Sequence, residues 1–236
     1  MTDGKPEFDS LARDYEKILD KRLAAFGFET GYFDEYKVRY MHDFFSRLRS
    51  ADHPRAILNF GCGIGKSEPY LRHYFGGASI FSVDISEESV AIARRNNSGL
   101  SDVFFTVFDG VHIPFEVDFD AIMAANVFHH IPRADHLAVV RSILGKLKRG
   151  GHLFLFEHNP LNPLTLRVVR SCPFDENAVL LRPCYARRLL KEAGFSELTL
   201  RFVVFFPRSL SLFQPIEVFL GVVPFGAQYC VIASRT

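Results

Sequence analysis

The residues best suited to chemistry stand in one stretch, where the apolar run 57–60 passes into Gly61, Gly63 and Gly65. Glycine adopts positive φ without strain and has no Cβ, so a ligand can lie directly against the backbone of such a turn. The residues after the turn are compatible with a helix. The stretch therefore predicts a buried strand, a tight turn and a helix N-terminus, which is where open parallel sheets hold nucleotide-like ligands.

The turn departs at one position from each of two known phosphate-binding motifs. A Walker A loop ends as Gly65-Lys66-Ser67 does, but Phe60 stands where its first glycine belongs. A dinucleotide fingerprint would need a third glycine at the position of Lys66. The remaining pattern, Gly-x-Gly-x-Gly, is compatible with a cofactor site and equally with a tight turn that has only a structural role.

An acidic residue follows the turn at the sequence distance typical of a ribose-binding carboxylate. The run 78–84 predicts a second strand that ends at Asp84, about 20 residues downstream, where such folds place a carboxylate for ribose hydroxyls. Ser86 then suits an N-cap, with Glu87 and Glu88 in the first turn of a helix. By itself Asp84 would also suit an ordinary strand end, but after this turn we interpret it as a ribose ligand.

Two adjacent histidines form the second candidate for chemistry. His129 and His130 lie in the loop 126–132, after a predicted fourth strand over 119–125. That end of the strand faces the ligand in a doubly wound sheet, so either ring could serve as a general base. Packing of one ring and exposure of the other is the structural alternative. No third ligand is close in sequence, so no metal site is predicted.

The ordered motifs together resemble the class I S-adenosylmethionine-dependent methyltransferases, over about residues 55 to 206. The segments that carry the resemblance are Ile-Leu-Asn-Phe-Gly-Cys-Gly-Ile-Gly at 57–65, Val-Asp-Ile-Ser at 83–86, Phe-Asp-Gly at 108–110, 119–132 and 150–157. The resemblance implies an α/β fold: a Rossmann-like, seven-stranded, mostly parallel sheet with an antiparallel last strand, helices on both faces and a helical N-terminal lid. It implies S-adenosyl-L-methionine as cofactor.

The same resemblance implies a set of cofactor-binding residues. They are Tyr15, Asn59, Gly61, Cys62, Gly63, Gly65, Asp84, Ile85, Asp109, Gly110 and Asn126. Asp109 would accept a hydrogen bond from the adenine amine, although an Asp-Gly turn has structural uses of its own. Asn59 stands where the family usually has Asp or Glu, so its amide could accept from the methionine ammonium without the charge-assisted component. Tyr15, Tyr36 and Lys37 are candidates for lining the lid.

Composition narrows the range of partners. The 236 residues carry a formal net charge of +1 and are 48% hydrophobic, which predicts a globular protein without the excess positive charge that nucleic acid binding requires. The four cysteines are widely spaced and indicate neither zinc nor disulfides. The first ten residues lack an apolar signal core, and no apolar run is long enough for a transmembrane segment. We therefore expect a cytoplasmic protein.

We expect a single domain over 1–236, with a helical lid in 1–52, a core in 53–236, and loop insertions at 159–183 and 207–225. Helices are predicted over 8–26, 33–49 and 133–149, the last ended by Gly150-Gly151 before a strand over 152–156. Glu157 could reach the substrate or tie down a loop. Arginines of the first insertion could bind an anionic group or be solvated; they are Arg167, Arg170 and Arg182.

The expected function is methyl transfer to a small, apolar or lipid-like metabolite. The apolar segment 209–224 could cover such an acceptor, pack on a second subunit or make a peripheral membrane contact. The alternatives are an RNA or protein methyltransferase, a non-catalytic S-adenosylmethionine-binding partner subunit and, more remotely, a nucleotide phosphatase.

Overall fold

In the computed structural model, residues 30–48, 53–172, 178–206 and 208–236 are described. Seven strands form one sheet in the order β3-β2-β1-β4-β5-β7-β6. The strands are β1 (Ala56–Phe60), β2 (Ser79–Asp84), β3 (Val103–Val107), β4 (Phe119–Ala125), β5 (Leu147–His158), β6 (Glu197–Val203) and β7 (Gln228–Ser234). The strand β7 is antiparallel to β5 and to β6, and the other neighbouring pairs are parallel. The predicted Rossmann-like architecture is confirmed.

Seven α-helices are found in the described part of the chain. They are α1 (Thr30–Arg47), α2 (Glu68–Tyr74), α3 (Glu87–Asn96), α4 (His136–Lys146), α5 (Pro163–Arg170), α6 (Pro183–Ala193) and α7 (Glu217–Leu220). Local signals explain several of their ends. Ser86 caps α3 by accepting from the backbone nitrogen of Ser89, and Gly194 ends α6 in the left-handed conformation.

The sheet buries an apolar layer on each face. On one face Leu58, Ile122 and Leu155 pack with residues of α4 and α6. On the other, Ile57 and Met123 pack with residues of α1 and α2. Because strand side chains alternate between faces, Asn59 and Ser82, which are register partners on β1 and β2, fall on the α1 and α2 face near the carboxyl ends of their strands.

The helix predicted to run to Arg149 is shorter than expected. It ends at Lys146, and Gly150 and Gly151 lie within β5, so the prediction that these glycines terminate the helix is wrong. Gly150 donates to the carbonyl of Arg235 at 2.6 Å, and Arg235 donates back to Gly151 at 3.1 Å. The Arg235 guanidinium also binds carbonyls at the helix end, including that of Leu147. Pairing with a distant segment thus overrides the local helix signal.

The N-terminal lid is tested only in part. The predicted helix over 8–26, with Tyr15, lies outside the described residues. Helix α1 is present and packs on one sheet face, with Phe44 and Phe45 against Phe154. Its role as a lid stays a prediction. The insertion 207–225 contains a 3-10 segment (Arg208–Ile216) and the short α7.

Candidate active site

The three glycines of the turn meet three different surroundings. A Cβ on Gly61 would lie 2.4 Å from Val127 Cγ2, and one on Gly65 would lie 2.5 Å from Asn97 Nδ2. A Cβ on Gly63, where φ is +53°, would meet nothing within 4 Å. Gly61 and Gly65 therefore let the turn pack against the β4 loop and α3, whereas Gly63 presents bare backbone to open space, as a cofactor cradle requires.

Asp84 joins the end of β2 to this turn. One carboxylate oxygen accepts from the backbone nitrogen of Gly63 at 2.7 Å, and the other accepts from that of Ser86 at 3.0 Å. The carbonyl of Val83 accepts from both Gly61 and Cys62. The side chain of Cys62 is buried, and burial raises the pKa of its thiol. Asp84, the residue predicted to bind the ribose, therefore lies beside Gly63, the glycine of the turn that faces open space.

Ile85 and Gly110 form the neighbouring wall. Ile85 is 43% exposed, and a Cβ on Gly110 would lie 3.4 Å from its Cγ2. Asp109 accepts from the backbone nitrogens of Val111 and His112 and pairs with the His112 ring at 2.6 Å, which lowers the pKa of Asp109 to about 2. This aspartate stabilises its own turn, and its contact with adenine stays a prediction.

The loop after β4 begins with an unusual backbone conformation. Asn126 has a φ of +58°, and its backbone nitrogen donates to the carbonyl of Phe156 at 2.9 Å. Its Oδ1 is buried and has no hydrogen-bond partner among the described residues. Left-handed backbone costs energy in a residue other than glycine, and such strain collects at functional sites. The position suits the predicted cofactor contact.

Glu157 organises this loop from the end of β5. One oxygen accepts from the backbone nitrogens of Val127 and Phe128, and the other pairs with His129 Nδ1 at 2.6 Å. Burial would raise the pKa of Glu157, but the His129 ring and its hydrogen bond outweigh burial and lower the pKa. Of the two predicted roles, tying down a loop is the one observed.

The two predicted catalytic histidines are in contact but differ in exposure. Their ring centroids are 4.1 Å apart, and the ring of His158 lies 5.1 Å from that of His129 at an interplanar angle of 46°. His129 is 2% exposed, whereas His130 is partly exposed. His130 is therefore the more accessible of the two residues, while His129 is enclosed between Glu157 and its neighbours.

A third histidine, which sequence reasoning missed, holds the same loop. His136 Nε2 lies 3.1 Å from the Phe128 carbonyl and 2.9 Å from that of Ile131, and its Nδ1 lies 3.0 Å from the Tyr185 hydroxyl. It starts α4 and is buried. Nothing in its local sequence distinguishes it from an ordinary helix residue.

Asn59 is buried and has a partner that the sequence did not reveal. Its Nδ2 donates to Glu68 Oε1 at 2.9 Å, and Ser82 Oγ donates to the same oxygen at 2.7 Å. Burial raises the pKa of Glu68 to about 7. The predicted amide is thus tied to a buried carboxylate at the start of α2.

Helix α1 brings further charge to this region. Lys37 is 3% exposed, and burial lowers the pKa of its amine although Asp34 and Glu157 act in the opposite direction. Asp34 accepts a long hydrogen bond, 3.5 Å, from Ser67 at the end of the turn. The lysine predicted to line the lid therefore interacts electrostatically with Asp34 and with Glu157.

The same helix is fastened to the 207–225 insertion. The hydroxyl of Tyr36 donates to Glu217 and accepts from the Val204 backbone nitrogen, and Gln214 binds both Tyr32 and Arg39. Glu217 also accepts from the backbone nitrogens of the two residues that precede Pro207. The Tyr36 hydroxyl therefore links α1 to α7 and to the end of β6.

Comparisons with known proteins point to methyltransferases. Residues 57–151, which include the glycine turn, Asp84 and the histidine loop, match the family model described as a methyltransferase domain. Over these residues, about two fifths of the chain, the sequence is similar to that family. The fold is similar to that of a methyltransferase of known structure. An S-adenosylmethionine-dependent methyltransferase from Archaeoglobus fulgidus superposes with a TM-score of 0.66 at 15% identity, covering 94% of this chain and 100% of the other.

Curated relatives match at modest identity. An uncharacterised protein of Synechococcus is 36% identical over 122 residues, which cover 49% of this chain and 28% of that protein. A trans-aconitate 2-methyltransferase of Rhodopseudomonas palustris is 26% identical over 144 residues (61% and 54%), and a fatty-acid O-methyltransferase of Mycolicibacterium smegmatis is 26% identical over 130 residues (54% and 45%). The chain thus spans about half the length of these two methyltransferases.

The residues of the methyltransferase domain fit the cofactor that the family implies, S-adenosylmethionine. Gly63 offers open backbone, Asp84 offers a carboxylate beside it, and two buried oxygens, Asn126 Oδ1 and Glu68 Oε2, have no partner within the described residues. No group of His, Cys, Asp and Glu in the described ranges could hold a metal ion. Among the helices described, none is long and apolar enough to cross a membrane.

Proposed function

We propose that the protein is an S-adenosylmethionine-dependent methyltransferase that methylates an oxygen of an apolar or lipid-like metabolite. The observation that carries the proposal is the histidine loop, packed through Val127 against Gly61 of the cofactor turn and held by Glu157 through His129. His130, three residues after Val127 in the same loop, is partly exposed, and we assign it the role of base. A hydroxyl acceptor needs a base at this place.

The bound cofactor supplies an electrophilic methyl group on a sulfonium. Gly63 and Asp84 would hold this cofactor, and methylation of the acceptor oxygen would leave S-adenosylhomocysteine as the second product. His130 takes the hydroxyl proton and passes it to solvent. Glu157 and His129 keep the loop in place, and alignment of the acceptor with the S-methyl bond can contribute about 7–11 kcal/mol to lowering the barrier.

An apolar acceptor is supported by the surface of the insertion tied to α1. The apolar rim consists of seven large side chains between 44% and 87% exposed; these are Leu212, Phe213, Ile216, Val218, Phe219, Val222 and Phe225. Asn162 binds the Phe225 carbonyl at 2.7 Å and caps α5, which carries the exposed Arg167 and Arg170. Apolar side chains next to basic ones fit the surface of an anionic bilayer. We propose that the rim meets the lipid phase that holds the acceptor.

The names of the two methyltransferase relatives point to different acceptors, a fatty acid and trans-aconitate. The test is an acceptor panel in which formation of S-adenosylhomocysteine is measured with hydroxylated and carboxylated lipids, trans-aconitate, bulk RNA and a protein extract. We expect turnover with one class of apolar acceptor. Turnover with trans-aconitate, RNA or protein alone would overturn the acceptor assignment, and no turnover with any member would favour a non-catalytic binding role.

A further inference from the structure

We propose that Glu68 provides the carboxylate that faces the methionyl ammonium of the cofactor, in place of the acid that the family usually has at the position of Asn59. The inference rests on the assignment of S-adenosylmethionine as cofactor and names a group that the sequence motif does not contain. It also assigns Asn59 a positioning role in place of direct cofactor contact.

Only one of the two carboxylate oxygens of Glu68 accepts hydrogen bonds from the described residues. The side chain is fully buried, and Oε1 receives both donors, Asn59 Nδ2 and Ser82 Oγ. Oε2 is buried and has no hydrogen-bond partner among the described residues. Leaving a carboxylate oxygen buried and unpaired is costly, and more so than for a neutral group. A donor that arrives with a ligand would remove this cost.

The location of Glu68 suits the amino acid part of the cofactor. It is the first residue of α2, three positions after Gly65, and its two donors are register partners at the carboxyl ends of β1 and β2. Cys62 in the turn and Asp34 on α1 are its electrostatic neighbours. The carboxylate therefore lies where the turn, the strand ends and α1 meet.

The chemistry of this pocket selects a cation. Burial contributes most to raising the pKa of Glu68, and Asp34, the charged neighbour that acts on it, is also an acid and raises it further. The lysines that act on Asp34 are Lys37 and Lys66. A primary ammonium would supply donors to Oε2 and would favour the ionised form of Glu68. Asn59, as a neutral donor, fixes Oε1 so that Oε2 is left for the ligand.

The experiment is a double-mutant cycle by calorimetric titration. Wild type and Glu68→Gln are each titrated with S-adenosylhomocysteine and with its analogue that lacks the α-amino group. We expect the wild type to bind the complete ligand about tenfold or more tightly than the analogue, and Glu68→Gln to bind both alike. The proposal would be overturned if Glu68→Gln still preferred S-adenosylhomocysteine over the analogue by the same factor as the wild type. If the wild type binds neither ligand, the cofactor assignment itself fails.

Two further measurements separate a positioning role from general damage. In Asn59→Asp/Glu68→Gln, a carboxylate returns to the strand end, and we expect part of the preference for the amino group to return with it. In the wild type, the pKa of Glu68 followed by carboxyl NMR should fall when S-adenosylhomocysteine binds and should stay unchanged with 5′-methylthioadenosine, which lacks the amino acid. Equal shifts with both ligands would contradict direct contact, even if the variants fail to fold.

Discussion

The carboxylate of Asp84 accepts a hydrogen bond of 2.7 Å from the backbone nitrogen of Gly63, which links the end of β2 to the open position of the glycine turn. Asp84→Ala should weaken binding of both S-adenosylhomocysteine and 5′-methylthioadenosine about tenfold or more, because both carry the ribose and charge-assisted hydrogen bonds contribute about 1.5–3 kcal/mol. Calorimetric titration measures this. Asp118→Ala, which removes an exposed carboxylate elsewhere, is the matched control; equal affinity in all three proteins would remove Asp84 from the site.

The glycines of the turn should separate binding from folding. Gly65→Ala places a Cβ 2.5 Å from Asn97 Nδ2 and 2.9 Å from Ala93 Cβ, so we expect a loss of about 1–3 kcal/mol in the free energy of unfolding. Gly63→Ala meets no neighbour, so the strain of its positive φ should cost only about 1 kcal/mol, while the added methyl blocks the cradle. Chemical denaturation and cofactor titration distinguish the two. Gly76→Ala, which also meets nothing within 4 Å, is the control; a Gly63 variant that binds normally would show that the cofactor lies elsewhere.

The two catalytic candidates should respond differently to replacement. His130→Ala should lower kcat about 10²-fold or more with a hydroxyl acceptor while leaving the Kd for S-adenosylhomocysteine near the wild-type value, because it removes only the base. His129→Ala should also lower the free energy of unfolding, since it leaves the buried Glu157 without its ring partner. Steady-state kinetics and denaturation of both variants test this. Unchanged kcat in His130→Ala would refute its role as base.

The buried Glu68 predicts a pH-dependent stability. Its pKa of about 7 in the folded state is above the ordinary value of 4.5, so ionisation is less favourable in the folded than in the unfolded protein. This contribution is fully present below about pH 4.5 and is lost as pH rises through about 7, at a cost of up to about 3 kcal/mol. Glu68→Gln should reduce the fall in unfolding free energy between pH 5 and pH 8. Urea denaturation at both pH values, with the exposed Glu116→Gln as control, measures it; parallel pH profiles for all three proteins would contradict the assignment.

The apolar rim predicts binding to anionic vesicles. Phe219 and Val222 are 80% and 70% exposed, so replacing both with Ser removes apolar surface that can enter a bilayer and should weaken vesicle binding by about 2 kcal/mol or more. Sedimentation with phosphatidylcholine vesicles containing phosphatidylglycerol gives the partition coefficient. Val117→Ser, which changes an exposed apolar side chain just before β4, should bind as the wild type does. Equal partitioning of all three proteins would leave the rim without a membrane role.

Much of the architecture follows from local sequence signals. The apolar strands, the three glycines and the spacing to Asp84 predicted the parallel sheet and its ligand-binding edge, because each signal lies within a few residues of the feature that it determines. The same holds for the Ser86 cap.

The parts that could not be predicted depend on residues that only the fold brings together. Asn59 finds Glu68 because α2 returns over β1, and Glu157 finds His129 because β4 and β5 are neighbours. The end of α4 was misplaced because Arg235 pairs with Gly150 from the far end of the sequence. A local sequence pattern cannot indicate contacts between residues that are far apart in the chain.

The position of β7 between β5 and β6 bears on biosynthesis. Strand β6 pairs only with β7 in the described sheet, and 24 residues separate the end of β6 at Val203 from the start of β7 at Gln228. On the ribosome, the open edge of β6 therefore stays unpaired for roughly 1–5 seconds at ordinary elongation rates, and that of β5, which ends at His158, for roughly 3–14 seconds. Unpaired edges promote association between chains. Slower translation through 204–227 should thus increase the dependence of this protein on chaperones.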